Sequence, residues 1–297
     1  MIPVVMGVML VIFTLTYITE GDPAVTILGM QADEESVNAL RAEMGLDDPF
    51  LVQFTRFVTN TAQLNLGTTF NTRRPVWDEI ATRFPITMQL SLISMMIAVV
   101  VGIPLGILSA TKQYSVFDAG ATFIGLLGVS IPNFWLGMML IIMFSLNFGL
   151  FPPSGWESPI HWVLPSLTLG ISSTAIIMRM TRSSMLEVIR QDYIRTARAK
   201  GQRESVVIYR HALKNALMPV VTVVGLQFGL LLSGAILTET IFSINGVGRF
   251  MVEAITMRDF PIIHGGVLLL ALTFSFVNLA VDILYAFVDP RIRSQYR

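Results

Sequence analysis

Six stretches of this chain carry no Asp, Glu, Lys or Arg: residues 1–19, 84–111, 119–156, 158–178, 215–238 and 260–281. A lipid core about 30 Å thick is crossed by roughly 20 apolar residues in a helix, and each stretch reaches that length or falls within a residue of it. An Arg at mid-span costs about 2.5–3.5 kcal/mol. The nine Lys and Arg between Arg179 and Lys214 therefore lie outside the membrane. The composition agrees: 53% of residues are hydrophobic and 13% charged, against about 25% charged in soluble domains. The sequence predicts an all-α integral membrane protein with six transmembrane helices, at 2–19, 88–111, 118–147, 162–181, 216–238 and 263–286.

Six spans put both termini on one side. That side holds Lys112, the nine basic residues from Arg179 to Lys214, and Arg291, Arg293 and Arg297, thirteen of the twenty in the chain. The other side holds Arg41, Arg56, Arg73, Arg74, Arg83, Arg249 and Arg258. Five of those seven fall in segment 20–86, a connection too long for its charges to set orientation. The basic side, with both termini, is read as cytoplasmic. The first span is read as a retained helix, since no basic n-region precedes it and YITEGDPA offers no small-x-small cleavage site. The missing basic flank also predicts a short cytoplasmic start upstream of Met1.

Residues 20–86 form a small extracytoplasmic segment holding ten of the twenty acidic residues. Gly21-Asp22-Pro23 marks a turn. Residues 34–44 read as a short polar helix, and 51–64 carry apolar residues at helical spacing. The segment either caps the bundle or docks a partner. In the third span, Pro132 within SIPNFW removes a helical hydrogen bond. The expected bend either packs or lines a cavity; in the second case Ser130 and Asn133 are available to a ligand.

Several chemistries find no residues. There is no cysteine, which excludes disulfides, zinc thiolates, iron–sulfur clusters and a cysteine nucleophile. No GxxxxGK[ST], HExxH or GxSxG occurs, so neither a P-loop nor those hydrolytic centres are present. No metal site is expected. His264, Glu239 and Asp282 sit near span ends, whereas ion-coupled carriers place ionisable groups deep in the bundle. The chain is read as no enzyme, with no cofactor of its own. Neutral net charge points to no nucleic acid; membrane lipid is the surrounding partner.

The basic loop between spans four and five is the most patterned part. Leu186, Ile189, Tyr193 and Ala197 recur at three- and four-residue spacing, with Arg190, Arg195, Arg198 and Lys200 off that stripe. Gly201 suits a helix C-terminus, and Val206, Arg210, Leu213 and Leu217 continue a second helix into span five. A solvated loop attracting anionic headgroups would explain the charge. The small residues Thr196, Ala197 and Ala199 beside a helix-ending glycine suit a docking element.

This loop resembles the EAA loop of permease subunits of binding-protein-dependent ABC importers. With the motif glycine on Gly201, Ala197 and Leu213 match, while Arg195, Thr196, His211 and Lys214 depart from the general consensus. YIRTARAKG followed by RHALKNALMPVVT is similar to the form found in the peptide and nickel subfamily. GDPA at 21–24, MGLDDP at 44–49, LNLGTTF at 64–70, SIPNFWLG at 130–137, ETIFSINGVG at 239–248 and LYAFVDPRIR at 284–293 resemble that subfamily's other landmarks in order.

The resemblance implies a first transmembrane helix at 1–19, the extracytoplasmic segment 20–86, a permease core at 87–289 containing a coupling loop at 182–215, and a cytoplasmic tail at 290–297. Spans two to six would be the importer core. It implies a multi-pass protein of a bacterial or archaeal inner membrane, forming a heterodimer with a second permease. Two P-loop ATPase subunits, which hold ATP and Mg, and an extracytoplasmic substrate-binding protein complete the importer. The coupling helix would run from Asp192 to Gly201. Tyr193, Ile194 and Ala197 would seat it in an ATPase groove, with Thr196 and Ala199 allowing close approach. Arg195, Arg198 and Lys200 would make charge-assisted contacts at the rim, and Gly201 would set the angle to the next helix. Dipeptides or oligopeptides are the implied cargo, with nickel or metal chelates, glutathione and oligosaccharides carried by related importers. An ion-coupled secondary transporter is the remote alternative.

Overall fold

The computed structural model describes residues 2–19, 21–29 and 31–288, with side chains in the last helix described to Val281 and at Ile283. The tail 290–297 and the side chain of Asp282 lie outside the described residues, as does the end of the LYAFVDPRIR landmark. Among the described residues the regular structure is helical, apart from one isolated bridge between Thr68 and Pro75. In chain order the helices begin with α1 (Ile2–Ile18), α2 (Pro23–Leu28), α3 (Glu34–Met44), α4 (Phe50–Ala62) and α5 (Val76–Thr111). Next come α6 (Val116–Ser130), then α7 (Asn133–Leu140), prolonged by a π-helical turn at Ile141–Asn147, and α8 (Pro159–Ile189). After α9 (Asp192–Ala199), α10 (Glu204–Val206) passes through a π-helical stretch, Val207–Ala212, into α11 (Leu213–Ile241). The chain closes with α12 (Val247–Met257) and α13 (Phe260–Val288).

Four helical runs are long and apolar enough to cross a membrane: Val76–Thr111, Pro159–Ile189, Glu204–Ile241 and Phe260–Val281. α1 is apolar and 17 residues long, the short end of the range that crosses a core of about 30 Å. The third expected span departs from a single helix over 118–147. α6 and α7 qualify only together and meet at a bend of 102°. Proline bars the residue before it from the α region, and Ile131 accordingly takes φ −80°, ψ 123°. Pro132 then opens α7, accepting the first helical bond from Leu136 N at 3.0 Å. At that position its missing N–H is one that a helix leaves unpaired anyway. The expected kink is thus a complete break.

The chain divides into two compact units. The first comprises Met1–Thr87 and Asn245–Ser275. Its core packs Val76, Ile80, Val247, Met251, Ala254 and Ile262 together. Asp259, buried, accepts the Phe70 N–H through Oδ2 at 2.8 Å, and the Arg83 guanidinium lies 4.1 Å from the Phe250 ring centroid. The apolar stripe of α4 meets α1: Phe13 stacks on Phe57 at 5.5 Å and contacts Phe50 edge-on at 5.4 Å. His264 lies in this cluster, 4.8 Å from the Phe57 ring and hydrogen-bonded through Nε2 to Thr16 Oγ1 at 2.9 Å.

The second unit comprises Met88–Ile244 and the described residues from Phe276 on. Within it, α8 packs against α6, α7 and α11. Small residues let backbones approach, the usual device where lipid removes the hydrophobic drive between helices. A Cβ added at Gly106 would stand 2.6 Å from the Met178 carbonyl oxygen. Buried hydroxyls bond to their own helix: Ser94 to Leu90 O, Thr168 to Leu164 O and Thr181 to Ile177 O, each at 2.8 Å. These bonds satisfy groups that would otherwise be stranded away from water.

Candidate coupling surface

The basic loop folds as a helical elbow on the second unit. α8 ends at Ile189, and Gln191 is extended at φ −71°, ψ 151°, turning the chain into α9. α9 presents Asp192 in its first turn and Arg198 in its last, the signs that favour each end of a helix dipole. Gly201 stands at φ +76°, a left-handed conformation that side chains disfavour. Its N–H donates to Arg198 O at 2.9 Å, and Gln202 N donates to Ala197 O at 3.4 Å. This pair of bonds is a Schellman closure.

The two apolar residues of α9 face inward. Ile194 is fully buried and Ala197 nearly so, in a cluster with Ile107, Ala110, Met185, Val207, Ala212 and Ala216. Here the sequence-based expectation is corrected: Ile194 and Ala197 root α9 in this chain, because its apolar stripe has its own core to fill, and they offer no side chain to another surface. Asp192, Tyr193, Arg195, Thr196, Arg198, Ala199, Lys200 and Gly201 are exposed. Together they form an exposed ridge carrying Arg195, Arg198 and Lys200 against the one carboxylate of Asp192.

Three ties span the elbow. Arg198 donates to Glu204 twice, Nη2 to Oε1 at 2.7 Å and Nε to Oε2 at 3.1 Å. Asn215 Nδ2 donates to Tyr193 Oη at 2.7 Å. His211 Nε2 and Gln202 Oε1 are hydrogen-bonded at 2.7 Å. The bonds to Glu204 raise the Arg198 guanidinium above its ordinary value. Arg198 is therefore engaged within its own chain, and Asp192 pairs with Arg195 at 3.4 Å. None of the three ties was read from the sequence, because each reaches across the turn or from one helix to another and follows no single-helix spacing.

Ser130 and Asn133 sit at the other landmark, the break between α6 and α7. Ser130 is exposed and donates to Leu126 O at 2.8 Å. Asn133 is half-buried, its Nδ2 3.9 Å from where a Cβ on Gly234 of α11 would lie. Among the described residues no three His, Asp or Glu side chains stand close enough to hold a metal ion. Sequence reading missed one further group. Asp118 accepts from Arg182 Nε at 2.7 Å and Arg182 Nη2 at 2.8 Å, tying α6 to α8. The sequence marked both only as charges at the edges of apolar stretches, although Ser115-x-x-Asp118 is the pattern of a helix start.

Two family models together match most of the chain. Residues 102–294 match the binding-protein-dependent transport system inner membrane component, and residues 1–91 match the N-terminal part of such membrane components. The dipeptide transport system permease DppB of Alkalihalophilus pseudofirmus is 45% identical over 99% of this chain and 96% of its own. The glutathione transport system permease GsiC of Pectobacterium atrosepticum is 44% identical over 99% of this chain and 96% of its own. In fold the chain resembles a MetNI methionine ABC transporter structure, with TM-score 0.60 and 18% identity over 71% of this chain and 96% of that one. A multi-pass inner-membrane protein, this chain belongs to the family of binding-protein-dependent transport system inner membrane components.

Proposed function

We propose that this chain is a permease subunit of an ATP-driven peptide importer and forms half of its translocation path. The observation that carries the reading is near-full-length identity of 43–45% to dipeptide permeases. The ridge of α9 is the surface through which a separate ATPase would act. It is exposed, cationic and rooted by Ile194 and Ala197 in the cluster that also holds Ile107, Met185 and Ala216. A push on such a ridge moves the ends of α5, α8 and α11 rather than bending a loose loop. The full assembly would hold a second permease, two ATPases carrying ATP and Mg, and an extracytoplasmic binding protein. With the ridge on the cytoplasmic face, both termini are cytoplasmic, in keeping with the basic bias of that side. ATP closing the ATPase dimer would draw the two α9 ridges together and tilt the permease pair outward. The ridge shifts that equilibrium only through contacts that differ between the two states.

Glutathione is the second reading, favoured by 44% identity to a glutathione permease. Uptake separates the two. In cells lacking other peptide importers, this chain with its partners is expected to drive uptake of a labelled dipeptide that unlabelled dipeptide outcompetes and glutathione does not. Competition by glutathione alone would select the second reading. Uptake that survives loss of the ATPases would remove both.

A further inference from the structure

Asp118 uses both carboxylate oxygens twice. Oδ1 accepts from Arg182 Nε at 2.7 Å and from Ser109 Oγ; Oδ2 accepts from Arg182 Nη2 at 2.8 Å and from the backbone N–H of Tyr114 at 3.0 Å. One buried side chain, 6% exposed, thus holds the end of α5, the turn after it, the first turn of α6 and the C-terminal third of α8. Its own N–H bonds to Ser115 Oγ at 3.2 Å, so α6 starts from the same knot.

The knot adjoins the platform under α9. Ser109 stands between Ile107 and Ala110, both members of the cluster that seats Ile194 and Ala197. Arg182 lies one helical turn from Met185 of that cluster. A buried carboxylate in this place is a poor choice for stability alone, since the cost of taking it out of water offsets much of what its partners return. A fork of two parallel bonds fixes angle as well as distance. α6, held at this end, runs to the break at Ile131 and Pro132.

We propose that Asp118 and Arg182 are positioning residues for coupling, locking α5, α6 and α8 so that a push on α9 reaches the bend at Pro132 instead of being absorbed where these helices meet. The proposal rests on the importer reading. Without the lock α9 still receives the ATPase stroke, but α6 no longer follows it.

The test uses the whole importer in lipid vesicles with a dipeptide as cargo, measuring ATP hydrolysis, uptake and assembly. Arg182→Lys keeps the charge and loses the fork. Asp118→Leu with Arg182→Met keeps an apolar fill and removes the directional bonds. Both are expected to assemble, to keep ATPase activity stimulated by the loaded binding protein, and to lose about tenfold in peptide moved per ATP, the scale of one site's coupling free energy. Unchanged peptide per ATP in an assembled variant overturns the proposal. Loss of assembly in both variants also overturns it, assigning the pair to folding only. An unmutated complex without stimulated ATPase activity would instead sink the importer reading and leave the lock unneeded.

Discussion

Arg198 and Glu204 face each other across Gly201, joined by two hydrogen bonds of 2.7 and 3.1 Å. The pair fixes the angle between α9 and the helical run that becomes α11. Its side chains are 39% and 56% exposed, so it is worth at most about 1 kcal/mol to global stability. Arg198→Ala is therefore expected to leave the melting temperature of the purified chain nearly unchanged while lowering uptake. A double-mutant cycle with Glu204→Ala checks this. Uptake losses that simply add would show that the two residues do not act as a pair.

Gly201→Leu is expected to insert normally and to abolish uptake. No atom lies within 4 Å of where its Cβ would point, so the conflict is with its own backbone at φ +76°. A left-handed residue costs about 1–2 kcal/mol when it carries a Cβ. Asn, which tolerates that region, is expected to retain part of the activity. Wild-type uptake by the Leu variant would remove the elbow from the mechanism.

Three glycines of the second unit predict an order of stability. At Gly106 a Cβ would stand 2.6 Å from Met178 O and from Thr181 Cβ; at Gly170 it would stand 3.1 Å from Ser94 O; at Gly120 nothing lies within 4 Å. Gly106→Ala is expected to cost about 1–3 kcal/mol, the range for overpacking, and Gly170→Ala less. Gly120→Ala should gain a few tenths to about 1 kcal/mol from lost helix-interior glycine. Thermal melts of the detergent-purified chain rank them; Gly106→Ala melting at or above the unsubstituted chain would contradict the packing described.

Asp259 gives a pH dependence in the first unit. Burial pushes its carboxyl above the ordinary range, although the bond from Phe70 N–H and the nearby backbone N–H groups of Ile262 and Asn71 oppose this. A carboxyl raised on folding binds its proton more tightly in the folded state. Its contribution is present below the unfolded pKa and lost as pH rises through the folded one. Asp259→Asn keeps an acceptor for Phe70 N–H and cannot ionise. It is expected to raise the melting temperature near neutral pH more than in mild acid. An equal effect at both would show that Asp259 ionises freely.

Charge-free stretches located the apolar helices because a charge in lipid is costly wherever the chain goes. Pro132 announced a disturbance, yet its size was not legible: proline removes one bond, and neighbours decide between a kink and a bend of 102°. The inward turn of Ile194 and Ala197 was missed for a related reason. Spacing shows that a helix has an apolar face, not which surface covers it. The knot around Asp118 and the partnership of residues 245–275 with the N-terminal region join distant parts of the chain, where periodicity carries no signal.

The most direct measurement places a photo-crosslinker at single positions of α9 in living cells and identifies what is captured. From the exposed Thr196 and Ala199, the importer mechanism predicts crosslinks to a P-loop ATPase, with capture falling sharply from the buried Ile194. Purification of the same complex should then yield one copy of this chain, a second permease and two ATPases. Recovery of this chain alone, with peptide uptake intact and no ATPase captured from either exposed position, would contradict it.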